Sequence, residues 1–304
     1  MEVLVLGGCG FIGSHVVDEL IGHGFGVRVL DRHPEPFRAP LPSVEYFEGE
    51  FSNTALLAEA LTGVDAVVHL ISTTVPSTSN LDPVADITGN LIATVRLLDV
   101  MRGVGVRNLV YLSSGGTVYG IPQTDPITED HPVQPISSYG IVKLAIEKYL
   151  HFEKHMHGLR YCVLRASNPY GARQGHKGVQ GVLGTYLWRA ATGGPVEVWG
   201  NGSVVRDYIH VTDVAALCAS ALSSSACGVF NAGYGEGASI LEIISMIENT
   251  TGRPLKPDFK PSRKFDVPRV VLDSTRARRE FDWWPKIGLQ DGIRQTWDWV
   301  SKNA

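Results

Sequence analysis

Cysteine is scarce in this chain. Four occur in 304 residues (Cys9, Cys162, Cys218, Cys227), with no CxxC pair and no even spacing. That pattern argues against a disulfide framework and against a metal site, and it reads as the reduced thiols of a cytoplasmic protein. Long apolar runs are also missing. None approaches the ~18–20 residues that span a bilayer, so no membrane segment is expected. No secretory leader is read either, because a strand-like stretch, EVLVL, begins at residue 2. Positive charge is not in excess. The net charge is −4 and no basic stripe is visible, which argues against nucleic acid as a partner. Internal repeats and low-complexity linkers are absent. What is present, 44% apolar and 19% charged residues, is the make-up of an ordinary globular protein. The length allows about two domains and a large core.

The first half alternates short apolar runs with helical patterns. Strands are expected at 2–6, 26–31, 44–49, 65–72, 107–114 and 159–167, and helices at 11–24, 53–62, 84–103 and 138–157. Continuous apolar strands separated by helices indicate βαβ units and a parallel sheet buried on both faces. The fold class is therefore α/β, a Rossmann-type doubly wound sheet. After about residue 166 the rhythm breaks into glycine-rich loops. A smaller second α/β domain is expected over 167–304, with the first over 1–166 and the chain returning to it around 207–232. SILEII (239–244) carries Ser and Glu three apart, the start of a capping box.

GGCGFIG (7–13) places Gly7, Gly10 and Gly13 between the first strand and the first helix, which Phe11 and Ile12 open. Glycines there let the backbone turn tightly and approach a pyrophosphate, which the free N–H groups of the helix N-terminus attract. Asp31 closes the second strand, at a distance that suits hydrogen bonds to ribose hydroxyls. A carboxylate repels a 2′-phosphate, so Asp31 favours NAD over NADP, and neighbouring Arg32 weakens that preference. In SSYGIVK (137–143), Tyr139 and Lys143 stand four apart at the start of a helix and share a face. Such a pair is either a solvated accident or a device that lets a phenol work as a base near neutral pH. Phe281, Trp283 and Trp284 read as packing residues. His151, His155 and His157 have no carboxylates at ligand spacing, so no metal is expected.

The glycine spacing, the YxxxK pair and the serine-ended strand before it resemble the extended short-chain dehydrogenase/reductases, in the group of nucleotide-sugar epimerases and dehydratases. The resemblance covers nearly the whole chain. It continues through NPYGARQ (168–174), GNGSVVRDYIHVTDVA (200–215) and RKFDVPRVVLD (263–273). It implies an NAD-dependent 4-epimerase acting on a UDP-hexose or UDP-N-acetylhexosamine. It also implies a homodimer built on the helices at 84–103 and 138–157. Tyr139 is implied to exchange a proton with a sugar hydroxyl, Lys143 to hold the nicotinamide ribose, and Ser114 to hydrogen-bond the reacting oxygen. Many members have one residue fewer between that serine and the following VYG, so Ser113 and Thr117 stay open as substitutes.

By position the resemblance adds Glu50 and Phe51 at the adenine. It adds Leu70, Ile71 and Ser72 beside the cofactor, where two alanines are common, and Asn90 as support of that loop. For substrate it implies Asn168, Arg206 and Arg263 at the diphosphate, Asp266 at a ribose hydroxyl, and Val270 on the C2 side of the sugar, where a small residue leaves room for an N-acetyl group. Family dehydratases and decarboxylases carry acids after the serine. Here Gly115 and Gly116 follow, and glycine supplies no acid or base. What remains is hydride transfer at one carbon: 4-epimerisation, or else NAD(P)H-dependent reduction of a 4-keto-6-deoxy sugar. A catalytically silent NAD-binding sensor is the remote alternative.

Overall fold

The computed structural model describes residues 1–175, 181–262 and 267–304. The first half runs β1 (Glu2–Leu6), α1 (Phe11–Gly22), β2 (Gly26–Asp31), β3 (Val44–Glu48), α2 (Thr54–Leu61), β4 (Ala66–His69), α3 (Pro83–Asp86), α4 (Ala93–Val104), β5 (Asn108–Ser114), α5 (Ser138–His157) and β6 (Arg160–Ala166). The second half runs β7 (Asn168–Tyr170), α6 (Val182–Thr192), β8 (Pro195–Trp199), β9 (Val205–His210), α7 (Val211–Ser223), β10 (Gly228–Ala232), β11 (Gly237–Ser239), α8 (Ile240–Thr251), β12 (Lys256–Lys260), β13 (Arg269–Val270), α9 (Thr275–Phe281) and α10 (Leu289–Asn303).

Seven strands form one sheet in the order β10-β6-β5-β4-β1-β2-β3, parallel at every pairing. Their continuous Val and Leu runs suit a sheet covered on both faces. One face packs against α1 and α7 through Val16, Val17, Val214 and Leu217, and the other against α2, α4 and α5 through Leu57, Leu97 and Ile146. Two small sheets lie beyond: β11-β9-β13 with β7 on β9, and β12-β8.

The helix expected at 84–103 forms, running from Pro83 to Val104, and a π-helical turn at Ile87–Ile92 joins α3 to α4. The side chains of Asp86 and Asn90 accompany that wider turn. Asn90 Nδ2 donates to the Asp86 carbonyl at 3.1 Å and to its carboxylate at 2.9 Å. Side chains inserted into the helical ladder widen the turn, and such bulges gather at functional sites. The capping box forms as read: Ser239 caps α8 with Glu242 reciprocating. Phe281 and Trp283 are buried, but Trp284 is more than half exposed. Of two adjacent tryptophans only one can face inward, and Trp283 takes that place by donating to the Asp213 carbonyl.

β9 is fastened by Asp207, a fully buried carboxylate. It accepts from Ser167 Oγ and from the backbone N–H groups of Tyr234, Gly235 and Leu272. Those donors follow β6, β10 and β13, so one carboxylate ties the small sheet to the edge of the large one. Burial lifts its pKa to about 6. Asp207→Ala strands several buried donors and is expected to cost about 3 kcal/mol or more, read as a lower urea midpoint with an unchanged slope.

Candidate active site

Parallel strands carry their C-terminal ends to one edge, and the residues expected at the cofactor and at the reaction lie along it. Gly7 follows β1 with φ +83°, a value that suits glycine. A Cβ on Gly13 would run into the Gly7 carbonyl oxygen, and it would sit 2.7 Å from Gly8 Cα. The glycine therefore lets α1 seat directly on the turn. Gly10 caps α1 without a side-chain bond, so the first-turn N–H groups at Phe11 and Ile12 face outward for an anion. Asp31 accepts from Cys9 N at 3.0 Å and from Arg32 N at 2.8 Å, which sets its carboxylate beside the glycine turn. This free helix end, the absence of Cβ atoms and the nearby carboxylate fit a dinucleotide.

Glu50 is exposed and Phe51 is buried, its ring 5.1 Å from that of His69. The Phe51 side chain is thus part of the core. Leu70 continues β4 by donating to Leu6 O. Ile71 lies against the turn, 3.1 Å from where a Gly7 Cβ would be. Asn90 is buried and accepts from Thr73 N at 2.8 Å. Ser72 donates to Thr74 O at 2.9 Å, and its hydroxyl lies beside the Tyr139 phenol.

α5 begins on side chains lent by this same loop. Ser138 N donates to Asn80 Oδ1, Tyr139 N to Ser79 Oγ and Gly140 N to Ser137 Oγ, so its orphan N–H groups are satisfied. Lys143 is only 5% exposed. Its Nζ donates to Leu112 O at 2.9 Å and stands 4.8 Å from the Tyr111 ring centroid and 5.6 Å from that of Tyr139. Burial depresses its pKa to about 8, opposed by the charges of Glu147 and Asp86. The phenol differs from expectation. Burial drives Tyr139 up to about 12, Asp86 pushes the same way, and the Ser72 hydroxyl opposes them. Without a ligand the Tyr139 phenol is held protonated at neutral pH, and added positive charge nearby would favour its phenolate.

Three hydroxyls compete for the strand-end role. Ser113 is buried and donates to Glu147 at 2.6 Å. Thr117 Oγ1 is buried without a hydrogen-bond partner. Ser114 is half-buried and its Oγ borders the space beside Gly116. Sequence reading missed the pair under Ser113: Glu147 receives Arg165 at 3.1 and 2.6 Å. The signal was present, since Tyr139, Lys143 and Glu147 repeat every four residues. The described residues hold no cluster that could bind a metal.

In the second half, Asn168 Nδ2 donates to Asp207 O at 2.8 Å and Arg206 Nη1 to Val267 O at 2.7 Å. Val270 pairs with Arg206 in the strand register and is 3% exposed, packed with Val118, Tyr119 and Leu272. Arg263 and Asp266 lie outside the described residues. A cleft of about 630 Å³ opens nearby, lined by Trp199, Asn201, Ser203, Lys260 and Ser262 among others. Trp199, 36% exposed at the end of β8, was missed as well. Its only sequence cue is an aromatic closing a strand before the glycine turn at 200.

Fold and site together define a dinucleotide-binding protein of the Rossmann type. The model of the NAD dependent epimerase/dehydratase family matches residues 3–233, and the chain belongs to that family. It is 36% identical to a UDP-glucose 4-epimerase of Mycolicibacterium smegmatis over 97% of both chains. It is 33% identical to one of Bacillus subtilis, covering 100% of this chain and 98% of that one. Among solved structures, the UDP-glucose 4-epimerase of Thermotoga maritima with UDP-glucose superposes with a TM-score of 0.95 at 34% identity, covering 100% and 99% of the two chains. That of Thermus thermophilus with NAD gives 0.92 at 35%, covering 99% of each.

Gly13→Ala must push the glycine turn away from α1. NAD affinity is expected to fall at least about tenfold by calorimetry, with a stability loss of ~1–3 kcal/mol.

Proposed function

We propose that the chain is an NAD-dependent nucleotide-sugar 4-epimerase acting on a UDP-hexose, with Tyr139, Lys143 and Ser114 as its catalytic groups. The observation that carries this reading is the buried Lys143 ammonium beside the Tyr139 ring at the sheet edge, in a chain whose relatives are UDP-glucose 4-epimerases. NAD held at the glycine turn would supply the chemistry of accepting hydride from sugar C4 and returning it to the opposite face. Tyr139 accepts the proton of the C4 hydroxyl and gives it back after the 4-keto sugar has turned over. Ser114 holds the reacting oxygen. Lys143 binds the nicotinamide ribose, and its charge favours the phenolate. Gly116 presents no acid or base that would divert the keto sugar into elimination.

The large sheet is the cofactor platform and the small sheets hold the nucleotide sugar. Arg206 and Asn168 lie on adjacent strands, and Trp199 offers an aromatic face to the base. Val270 presents no ring toward the sugar, which supports acceptance of UDP-N-acetylhexosamines. The protein is a cytoplasmic homodimer on this reading, its four cysteines free. Ile141, Tyr149, Phe152 and Met156 are exposed on α5 and fall within a sector of about 80° of the helix. The opposite side carries Tyr139, Lys143 and Glu147, so one helix serves an apolar interface outward and the site inward.

Proton NMR of the anomeric signals tests the activity. With UDP-glucose, and separately UDP-GlcNAc, and no reductant added, galacto signals are expected to appear, and unchanged spectra overturn the reading. Tyr139→Phe should lower kcat by roughly 10²–10⁴-fold. Trp199→Ala should raise KM with little change in kcat. Tyr149→Glu combined with Phe152→Glu should give a monomer by sedimentation velocity.

A further inference from the structure

Asp86 ends α3, and its side chain has no contact with water: its exposure is 0%. No arginine, lysine or histidine lies within ion-pair distance of it among the described residues. Instead three neutral donors converge on it. Oδ1 accepts from Thr74 Oγ1 at 2.6 Å and from Asn90 Nδ2 at 2.9 Å, and Oδ2 accepts from Ser138 Oγ at 2.7 Å. Those donors belong to the loop after β4, to the π-helical turn, and to the residue before Tyr139. A carboxylate taken from water loses its hydration, and charge-assisted hydrogen bonds return only part of it. Such a residue is costly to keep for structure alone, since an amide would tie the same segments at lower cost.

Its field is felt where the chemistry lies. Asp86 adds to the rise that burial gives the Tyr139 pKa, and after Glu147 it opposes the fall that burial gives Lys143. The other titratable groups near this pair are Glu147 on the same helix, Tyr111 on β5 and His69 on β4, the last held neutral by burial. Glu147 is already engaged by Arg165 and Ser113. Among the described residues, Asp86 is therefore the acid of this neighbourhood that no cation pairs.

We propose that Asp86 is a positioning residue for the reaction at Tyr139. Its buried charge keeps Lys143 cationic and holds Tyr139 protonated until a cationic ring is bound, and its bond to Ser138 fixes the first turn of α5. An enzyme organised in this way does not carry a reactive phenolate when its cofactor site is open. The turnover arm of the test rests on the epimerase reading; the phenolate arm does not.

The test compares Asp86→Asn and Ser138→Ala with the parent. Tyr139 ionisation is followed by the ultraviolet absorbance of its phenolate, with Tyr139→Phe as the blank, with and without NAD. Removing the charge in Asp86→Asn is expected to move the Tyr139 midpoint toward acid. Both limbs of the kcat/KM profile should follow by about half a pH unit or more, because phenol and ammonium each lose a neighbouring anion. Ser138→Ala keeps the charge, so its limbs stay in place while kcat falls roughly tenfold from the loosened turn. If Asn is not accommodated, Asp86→Ser, smaller and also neutral, gives the same reading. A neutral variant whose midpoint coincides with the parent's overturns the proposal. So does a Ser138→Ala variant whose limbs move as far as those of Asp86→Asn.

Discussion

A lysine ammonium withdrawn from water must be matched by acceptors and opposite charge, and the edge of the large sheet is organised around that requirement. Lys143 finds one carbonyl, at Leu112, and two aromatic rings. Rings and a single carbonyl do not replace a hydration shell. The balance comes from Glu147 one turn further along α5 and from Asp86 across the loop. Each of these anions then needs its own partners. Arg165 and Ser113 serve Glu147; Thr74, Asn90 and Ser138 serve Asp86. The burial of one cation thus accounts for polar residues on β5, β6, α3 and the loop after β4.

The sheet order explains why these groups meet a dinucleotide. From β1 the chain adds β2 and β3 on one side, then crosses to place β4 on the other. The loops after β1 and β4 consequently diverge and leave a crevice at the strand ends, where ligands bind in folds of this kind. Gly7 forms one lip and Ile71 the other. Their closeness, 3.1 Å from an imagined Gly7 Cβ to Ile71 Cγ1, shows how little room the crevice floor has. A bulky residue after β4 is tolerated because the opposing lip is glycine.

The sequence was most legible where a single period or a single backbone constraint decided the outcome. Most strands of the large sheet are short runs rich in Val and Leu, and β1 to β6 each lie within three residues of the expected span. The glycine turn was legible because only glycine fits there. Less legible were β7, β11 and β13, two or three residues long, which pairing creates and no periodicity announces. The π-helical turn at 87–92 was hidden for another reason. ITGNLI has no proline, and its conformation is set by Asn90 and Asp86 reaching loop residues 12 to 17 positions away. Side chains such as Trp199 belong to the same class, since their meaning comes from a cleft assembled by distant segments.

Gly115 and Gly116 show how one dipeptide can answer two constraints. At Gly115 the reason is packing: a Cβ would run into Leu272 and come within 3.0 Å of the Arg165 carbonyl. Leu272 follows β13, and its N–H is held by Asp207, so the small sheet itself forbids a side chain there. At Gly116 nothing forbids one. A Cβ would meet only Ser114 Oγ, at 3.9 Å. The bareness of that position is therefore not imposed by the fold, and its consequence is chemical. A carboxylate placed there would stand beside Ser114, able to move a proton that epimerisation must leave in place. Packing explains the first glycine. The second is best explained by the reaction the site has to avoid.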